Sequence, residues 1–164
     1  MKTFSKEVLL SIFIVLQSGC YGAKDVTALP EYASHVGDIY RTDVNLAIVS
    51  IRSEDSKFCK YQALPAERIY RNYSLQAKLP STFGGDRVFG VLPKGSSLEI
   101  VRFISEWSIE DTTTYPVVKI LSDGPFSGWQ VAAVLLENLE DVKRLDPRLA
   151  SIVQPSSRTA KTSN

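Results

Sequence analysis

Histidine and cysteine are rare in this chain of 164 residues, and its net charge is small. Each of these features argues against a class of function. The only histidine is His35, so a catalytic Ser–His or Cys–His pair would have a single possible base. The formal net charge of +1 provides no strongly basic surface for nucleic acid. Two cysteines rule out a disulfide-rich scaffold. We therefore predict neither an enzyme nor a nucleic-acid-binding protein.

Long apolar runs are also missing, apart from one near the N terminus. Residues 8–16 are mostly apolar, follow Lys2 and Lys6, and precede a short segment that ends in small residues. A helix of about nine residues covers about half of a ~30 Å hydrocarbon core, which is too little for a permanent span. Charge, apolar run and small residues in this order are typical of a secretory signal. We predict that residues 1–19 are removed on export.

The end of this signal, Ser18-Gly19-Cys20, resembles the lipobox of bacterial lipoproteins. The resemblance implies that Cys20 carries lipid on its sulfur, becomes the first mature residue and holds the protein on a membrane. Gln17 stands where that family usually has leucine. Tyr21 follows Cys20 in place of aspartate, which in a Gram-negative bacterium implies the outer membrane, facing the periplasm. The alternative is cleavage a few residues later, for example after Gly22, which would release a soluble secreted protein.

The rest of the chain has the length of one domain. Removal of the first 19 of the 164 residues leaves 145 and takes away two lysines and one glutamate, so the mature chain has no net charge. Small, polar and turn-forming residues predict a tether over residues 20–37. We predict a β-rich domain over residues 38–145 and a disordered tail over residues 146–164. The positive charge of the tail suits either simple solvation or contact with anionic lipid or wall polymer.

Cys59 is the second cysteine and lies in the segment Phe58-Cys59-Lys60-Tyr61. This setting favours a small buried side chain over a reactive thiol, because no second cysteine or histidine is near it in the sequence. With Cys20 acylated, no internal disulfide is possible. Without acylation, a Cys20–Cys59 disulfide is allowed, so a count of free thiols bears on the anchor.

Short apolar, β-branched segments separated by turn-forming residues predict strands in the second part of the chain. The predicted strands cover residues 44–51, 88–92, 98–104, 115–121 and 129–136, with turns at residues 93–96 and 122–125. In the first of them the apolar phase shifts between Ile48 and Val49. Such a shift indicates either a β-bulge or a strand that is covered on both faces.

Two further segments favour short helices. Residues 65–75 carry a helical stripe of apolar and aromatic residues, with a strand as the alternative. Later in the chain, Asn138 would cap a short helix in which Leu139, Val142 and Leu145 recur at three-residue spacing. The sequence thus predicts a mainly β fold, a small barrel or sandwich, with one or two short helices.

Residues 91–101 and 123–131 together resemble the bacterial SH3-like domains of envelope proteins. In that family one strand ends in a Lys-Gly turn, here Lys94-Gly95, and a later glycine turn introduces Gly-Trp, here Gly128-Trp129. The resemblance implies an SH3-like barrel in which glycine permits tight reversals and Trp129 plugs one end. The chain departs from the family in a longer segment between the two motifs, residues 105–115, and in a longer N-terminal half.

Acidic and glycine-rich segments were considered as sites for chemistry. Glu106, Glu110 and Asp111 would suit an acid–base pair or a hard cation, but their spacing does not match a calcium loop. A solvated loop is the simpler interpretation. The pair Gly84-Gly85 lacks the following Lys-Ser and helix of a phosphate loop, and it predicts a turn. We predict no catalytic residue, no metal site and no cofactor.

Aromatic residues supply the best candidate for a binding site. The chain has more of them than a small core easily hides: Tyr61, Tyr70, Tyr73, Phe83, Phe89, Trp107, Phe126 and Trp129. A partner-binding groove is predicted from four of these, Tyr70, Tyr73, Trp107 and Trp129. Such a groove would suit a peptide, a glycan strand or another protein, because aromatic side chains offer large contact area at low entropy cost. The alternative is that most of them belong to the core, Trp129 above all.

Together these patterns lead to two hypotheses for function. The first is a lipid-anchored binding module that contacts a periplasmic protein or peptidoglycan. The second is a periplasmic inhibitor or immunity protein that blocks an envelope-acting toxin or lysozyme. A hydrolase ranks behind both, because the sequence shows no catalytic constellation.

Overall fold

The computed structural model describes residues 22–50, 58–67, 81–83, 86–107, 111–134, 137–138 and 141–156. Among these residues lie twelve strands and one short helix, α1 (Pro30–Ala33). The chain is mainly β, as predicted, and its architecture is compatible with a small β barrel or sandwich.

The strands are β1 (Gly22–Asp25), β2 (Ile39–Thr42), β3 (Leu46–Ser50), β4 (Tyr61–Pro65), β5 (Ser81–Phe83), β6 (Asp86–Leu92), β7 (Ser97–Trp107), β8 (Thr112–Ile120), β9 (Gln130–Ala132), β10 (Glu137–Asn138), β11 (Asp141–Leu145) and β12 (Ala150–Gln154). Ten of them form one sheet in the order β12-β2-β7-β8-β9-β4-β3-β6-β5, with β1 also beside β7. The pair β10–β11 forms a separate two-stranded sheet.

The main core draws side chains from strands that lie far apart in this order. Leu46 and Ile48 of β3 share one buried cluster with Leu98, Ile100 and Phe103 of β7, although β8, β9 and β4 lie between the two strands. The sheet must therefore curve so that β3 and β7 face the same interior. Burial of each of these side chains contributes about 1.5–3 kcal/mol, so this shared cluster holds the curved sheet together.

β3 is covered on both faces. Leu46 and Ile48 join the main core, whereas Ala47 and Val49 join a second buried cluster. All four are at most 3% exposed. A strand that must be apolar on both faces cannot keep a simple alternation, which explains the phase shift in its sequence.

The same position carries a β-bulge. Ile48 lies opposite Gly90 and Val49 lies opposite Val88, so the register shifts between these two residues of β3. Phe89 is the extra residue on β6, since three residues of β6 face two of β3. The doubly covered strand is confirmed, whereas β3 itself keeps its alternation between the two faces and the extra residue of the bulge lies on the neighbouring strand β6.

The domain begins earlier than predicted, at the first described residue. β1 pairs with residues 104–107 of β7 and β2 pairs with residues 97–99, so they are two parts of one edge. Between them the chain leaves the sheet to form α1, where the Tyr32 ring packs on Phe103 with centroids 4.9 Å apart. From Gly22 onward the predicted tether, residues 20–37, is therefore part of the domain. This segment pairs with the edge of β7 and packs on Phe103. Neither contact can be recognised from the composition of the segment itself.

The domain also ends later than predicted. β12 pairs with β2, and Ala150 of that strand is buried in the main core. Beyond it, the Ser156 amide donates a 2.6 Å hydrogen bond to a carboxylate oxygen of Asp38. The segment predicted as a disordered tail, residues 146–164, is thus ordered as far as Ser156, and residues 157–164 lie outside the described residues.

The helix predicted after Asn138 is wrong. Asn138 instead pairs with Asp141 in the β10–β11 hairpin, and Leu145 at the end of β11 is buried in the main core. A helix of about two turns is marginal on its own, so the burial of Leu145 and the hairpin pairing decide the structure. In the other predicted helix, Pro65 ends β4, Ala66 and Glu67 are helical as predicted, and residues 68–75 lie outside the described residues.

Three predicted strands match observed strands, with differences in length. β6, β7 and β8 cover the predicted segments, except that β8 ends one residue earlier, at Ile120. β7 runs on to Trp107 and β8 already begins at Thr112, so much of the predicted long connection belongs to their hairpin. β9 is shorter than predicted and ends at Ala132.

Candidate functional site

Four aromatic rings meet on one side of the main core, and we call them the aromatic cluster: Tyr61, Phe89, Phe126 and Trp129. Trp129 is its centre, with ring centroids 4.4 Å from Tyr61, 5.3 Å from Phe126 and 5.8 Å from Phe89. Tyr61 and Phe89 also meet edge to face at 5.3 Å. Each such pair adds about 0.5–1.5 kcal/mol beyond simple burial, so the rings fix one another in place.

The β-bulge of β6 helps to build this cluster. As the extra residue of the bulge, Phe89 is displaced from the regular alternation of β6 and reaches the ring of Trp129. The next residue, Gly90, leaves room for Phe126, because a Cβ atom there would lie 2.7 Å from Phe126 Cζ. Bulges commonly re-aim a side chain in this way, often next to functional sites.

The turn between β8 and β9 supplies the rings of Phe126 and Trp129. Gly124 and Gly128 have positive φ angles of 133° and 78°, a conformation that favours glycine. The Gly128 amide donates to the Ile120 carbonyl oxygen at 2.8 Å, and the Ile120 amide donates to the Trp129 carbonyl oxygen at 2.9 Å. These bonds bring the turn back onto the end of β8, with Phe126 buried and Trp129 partly exposed.

The cluster is accessible and carries a positive charge at its edge. Tyr61, Phe89 and Trp129 are partly exposed, whereas Phe126 is 7% exposed. The exposed Arg87 guanidinium lies over the Phe89 ring, 5.0 Å from its centroid. A guanidinium over an aromatic face is stabilised by about 0.5–1 kcal/mol at an exposed site. The arrangement offers aromatic faces for apolar contact and a cation for an anionic group.

The structure separates the two tryptophans of the predicted groove. The Trp129 carbonyl oxygen is bonded at Ile120, the last residue of β8, whereas Trp107 pairs with Thr112, the first residue. These points are eight residue steps apart along β8, a path of about 27 Å. Trp107 and Trp129 therefore do not line one groove, because the β7–β8 hairpin holds them at opposite ends. Tyr70 and Tyr73 lie outside the described residues.

Trp107 occupies a different setting. It ends β7, is 41% exposed and lies across the backbone of Gly22, where an added Cβ would be 2.2 Å from its Cζ2 atom. Gly22 pairs with Trp107 in the β1–β7 ladder. Cys20, the predicted lipidation site, lies outside the described residues, two positions before Gly22.

Cys59 lies in a buried cluster that is separate from the aromatic cluster. Its thiol is free and buried, as predicted, and donates to the carbonyl oxygens of Tyr61 at 3.2 Å and Gln130 at 3.5 Å. Burial raises the pKa of this thiol, which favours the unreactive protonated form. These contacts support a structural role for Cys59.

Tyr115 and Glu106 form a hydrogen-bonded pair close to this group. The Tyr115 hydroxyl donates to Glu106 Oε1 at 2.5 Å. Burial, followed by the bond to Glu106 and the charge of Glu106, raises the pKa of Tyr115 far above its usual range. Of the three carboxylates considered from the sequence, Glu106 is thus engaged with Tyr115, Asp111 is exposed, and Glu110 lies outside the described residues.

His35 has a structural partner in the N-terminal part of the domain. Its Nδ1 atom lies 3.1 Å from Asp38 Oδ2, and Asp38 also accepts the Ser156 amide. This arrangement ties the region of α1 to the C-terminal strand. In the part of the chain that the structure describes, no group of histidine, cysteine and carboxylate residues is placed to hold a metal ion.

No protein-family model, no curated protein and no solved structure matches this chain. The lipobox and SH3-like resemblances therefore stay predictions. Among the helices of the described residues, none is long and apolar enough to cross a membrane.

Sequence reasoning named the aromatic residues of the cluster but grouped them incorrectly. Tyr61, Phe89 and Phe126 were among the surplus aromatics, yet only Trp129 was placed in the predicted groove. Arg87 was not considered. The phase shift in β3 does not reveal this bulge, because the extra residue is on β6, and only the strand pairing shows that Phe89 and the neighbouring Arg87 reach this surface.

Proposed function

We propose that this chain is a bacterial lipoprotein, exported by residues 1–19 and held on the outer membrane by lipid on Cys20. In this proposal the domain faces the periplasm, and its aromatic cluster binds peptidoglycan or an envelope protein. The observation that carries the binding role is the exposed side of the cluster, where three partly exposed rings lie beside Arg87. Export and anchoring are supported by the signal-like N terminus and by Ser18-Gly19-Cys20.

The chemistry of the cluster favours peptidoglycan among these partners. Tyr61 and Trp129 are partly exposed and pack on each other, and their accessible ring surface offers apolar contact to sugar rings. The Arg87 guanidinium is suited to a carboxylate, which it can bind through two parallel hydrogen bonds. Peptidoglycan combines sugar rings with carboxylate-bearing peptides, so one polymer would satisfy both parts of the site.

Binding can be tested by co-sedimentation with purified peptidoglycan sacculi. The informative variant is Arg87→Gln, which removes the cation beside the rings without changing the rings themselves. Arg41→Gln is the matched control, because Arg41 is also exposed and its loss changes the net charge equally. We expect weaker sedimentation of R87Q and unchanged sedimentation of R41Q.

Equal behaviour of the two variants would show that the cluster does not bind the polymer. If sacculi do not retain the wild-type chain but an envelope-acting lysozyme or toxin does, the inhibitor hypothesis replaces the peptidoglycan partner. The anchor is tested separately, by the intact mass of the membrane-extracted protein. We expect a chain that begins at an acylated Cys20, and an unmodified chain that begins later would refute the anchor.

A further inference from the structure

The first described residue lies almost at the proposed anchor. β1 begins at Gly22, and two peptide units join Gly22 to Cys20. Because consecutive Cα atoms are about 3.8 Å apart, the Cα atoms of Cys20 and Gly22 are at most about 8 Å apart. A lipid on Cys20 would therefore bring this part of the domain to the membrane surface, with no long tether between them.

The topology determines which part of the domain this is. Gly22 pairs with Trp107, the last residue of β7, and Trp107 pairs with Thr112, the first residue of β8. The first described residue thus lies beside Trp107, where β7 ends. β1 then runs away from the anchor along β7 until Val26 donates to the Phe103 carbonyl oxygen at 3.0 Å.

The surface at this end suits the boundary between lipid and water. Trp107 is 41% exposed, and its indole is stacked over the Gly22 backbone, beside the point from which the chain continues to Cys20. β8 begins beside it with the uncharged threonines at positions 112–114, preceded by the exposed Asp111, whose carboxylate accepts the Thr112 amide at 2.7 Å. Tryptophan is enriched at membrane interfaces because its large apolar ring also carries a polar N–H group.

We infer that Trp107 and the start of β1 lie against the membrane, with the Trp107 indole among the lipid headgroups. The inference depends on the proposed acylation of Cys20. The path of about 27 Å along β8 then separates the membrane contact from the end of the strand that holds Trp129. The orientation leaves the aromatic cluster accessible to a partner in the periplasm.

The two tryptophans of the chain make the orientation measurable. The full acylated chain is placed in phosphatidylethanolamine–phosphatidylglycerol vesicles that contain lipids brominated close to the headgroup, which quench nearby indoles. We expect quenching in the wild type and loss of that quenching in Trp107→Phe. This variant leaves Trp129 as the only reporter and leaves the aromatic cluster unchanged. Trp129→Phe is the reciprocal variant, and its remaining emission should be quenched.

The outcomes separate the orientation from the anchor. If the vesicle-bound wild type and W107F are quenched equally, Trp107 does not contact the membrane, and the inference fails while the anchor stands. If the extracted chain carries no lipid on Cys20 and does not bind the vesicles, the anchor fails and the inference fails with it. Cys20→Ala is the control for the anchor, and it should lose both vesicle binding and quenching.

Discussion

Trp129 and Trp107 lie at opposite ends of the same pair of strands and are held in different ways. Trp129 contacts three other rings and packs against the main core. Trp107 ends β7, is 41% exposed and lies over the backbone of Gly22. The first is therefore a structural centre that is also partly exposed, whereas the second leaves about two fifths of its side chain exposed.

The comparison also shows how one residue type acquires two roles. Trp129 is held by glycine turns and by a bulge on a distant strand, so its position depends on the whole sheet. Trp107 is positioned by one strand end and by the missing side chain of its cross-strand neighbour, Gly22. The two ends should consequently respond differently to the same change, and the following variants test this difference.

Truncation of the tryptophans should show the largest difference. Trp129→Ala removes the centre of the aromatic cluster and should lower the free energy of unfolding by about 3 kcal/mol. Trp107→Ala should lower it by less than about 1 kcal/mol, because an exposed side chain loses little burial. Urea unfolding followed by far-UV circular dichroism measures both. Equal losses would mean that Trp107 is as much a part of the core as Trp129.

Glycine-to-alanine substitutions at the two ends should give a smaller difference in the free energy of unfolding than the tryptophan truncations. Gly90→Ala places a Cβ 2.7 Å from the buried ring of Phe126, which cannot move without disturbing the cluster. We expect a loss of about 1–3 kcal/mol in the free energy of unfolding. Gly22→Ala meets the exposed Trp107 at a shorter distance, yet that ring can swing into solvent, so its loss should be below about 1 kcal/mol. Thermal unfolding of the two variants ranks them, and a reversed order would contradict the comparison.

Stability in acid should depend on Asp146, in the turn before β12. Hydrogen bonds from the side chain and the amide of Arg148 hold the pKa of Asp146 below its usual range. The stabilisation is therefore present above about pH 4 and is lost as the pH falls through the pKa of the folded state. Asp146→Asn should lower the free energy of unfolding by about 1 kcal/mol at neutral pH. Its difference from the wild type should shrink in acid.

Asp25, the last residue of β1, offers a matched control. Its carboxylate accepts the Thr27 amide at 2.9 Å, as Asp146 accepts the amide two residues later. Asp25→Asn keeps an oxygen that can accept this bond and should change stability less than D146N. An equal loss at neutral pH would assign the effect to the turn itself and not to the guanidinium of Arg148.

The stability of the domain at alkaline pH should depend on Tyr115, which lies in the half of β8 nearer to Trp107. Because burial raises the pKa of Tyr115, the unfolded chain releases this proton at about pH 10 while the folded chain retains it. The stabilisation is thus complete below pH 10 and is lost as the pH rises above it. Tyr115→Phe should make the decline in stability between pH 9 and 11 less steep, at a cost of about 1 kcal/mol at neutral pH. An unchanged slope would show that another group causes the decline.

Several features of the fold were predictable because they depend on neighbouring residues. The alternation of apolar residues located β6, β7 and β8, and the phase shift at Ile48 indicated the doubly covered strand β3. The Lys94-Gly95 turn is confirmed, with Gly95 at a φ of 88°. The buried state of Cys59 also followed from its neighbours and from the lack of an activating partner.

The incorrect predictions concern contacts between distant segments. β1 and β12 are composed of small, polar or exposed residues, and they are strands because β7 and β2 offer them an unpaired edge. The stripe at Leu139, Val142 and Leu145 fits a helix by spacing, but hairpin pairing and the burial of Leu145 favour a strand. The predicted groove failed because the spatial separation of Trp107 and Trp129 depends on the strand pairing.

The sequence by itself determined that the chain is mainly β, where several turns lie and which residues carry surplus aromatic surface. These properties depend on side-chain alternation and on glycine conformation, which act over a few residues. Only the tertiary structure decided that Trp129 joins Tyr61, Phe89 and Phe126 and that Trp107 stands beside Gly22. The physical reason is that strand pairing brings together residues far apart in the chain, and no local pattern specifies which edges meet.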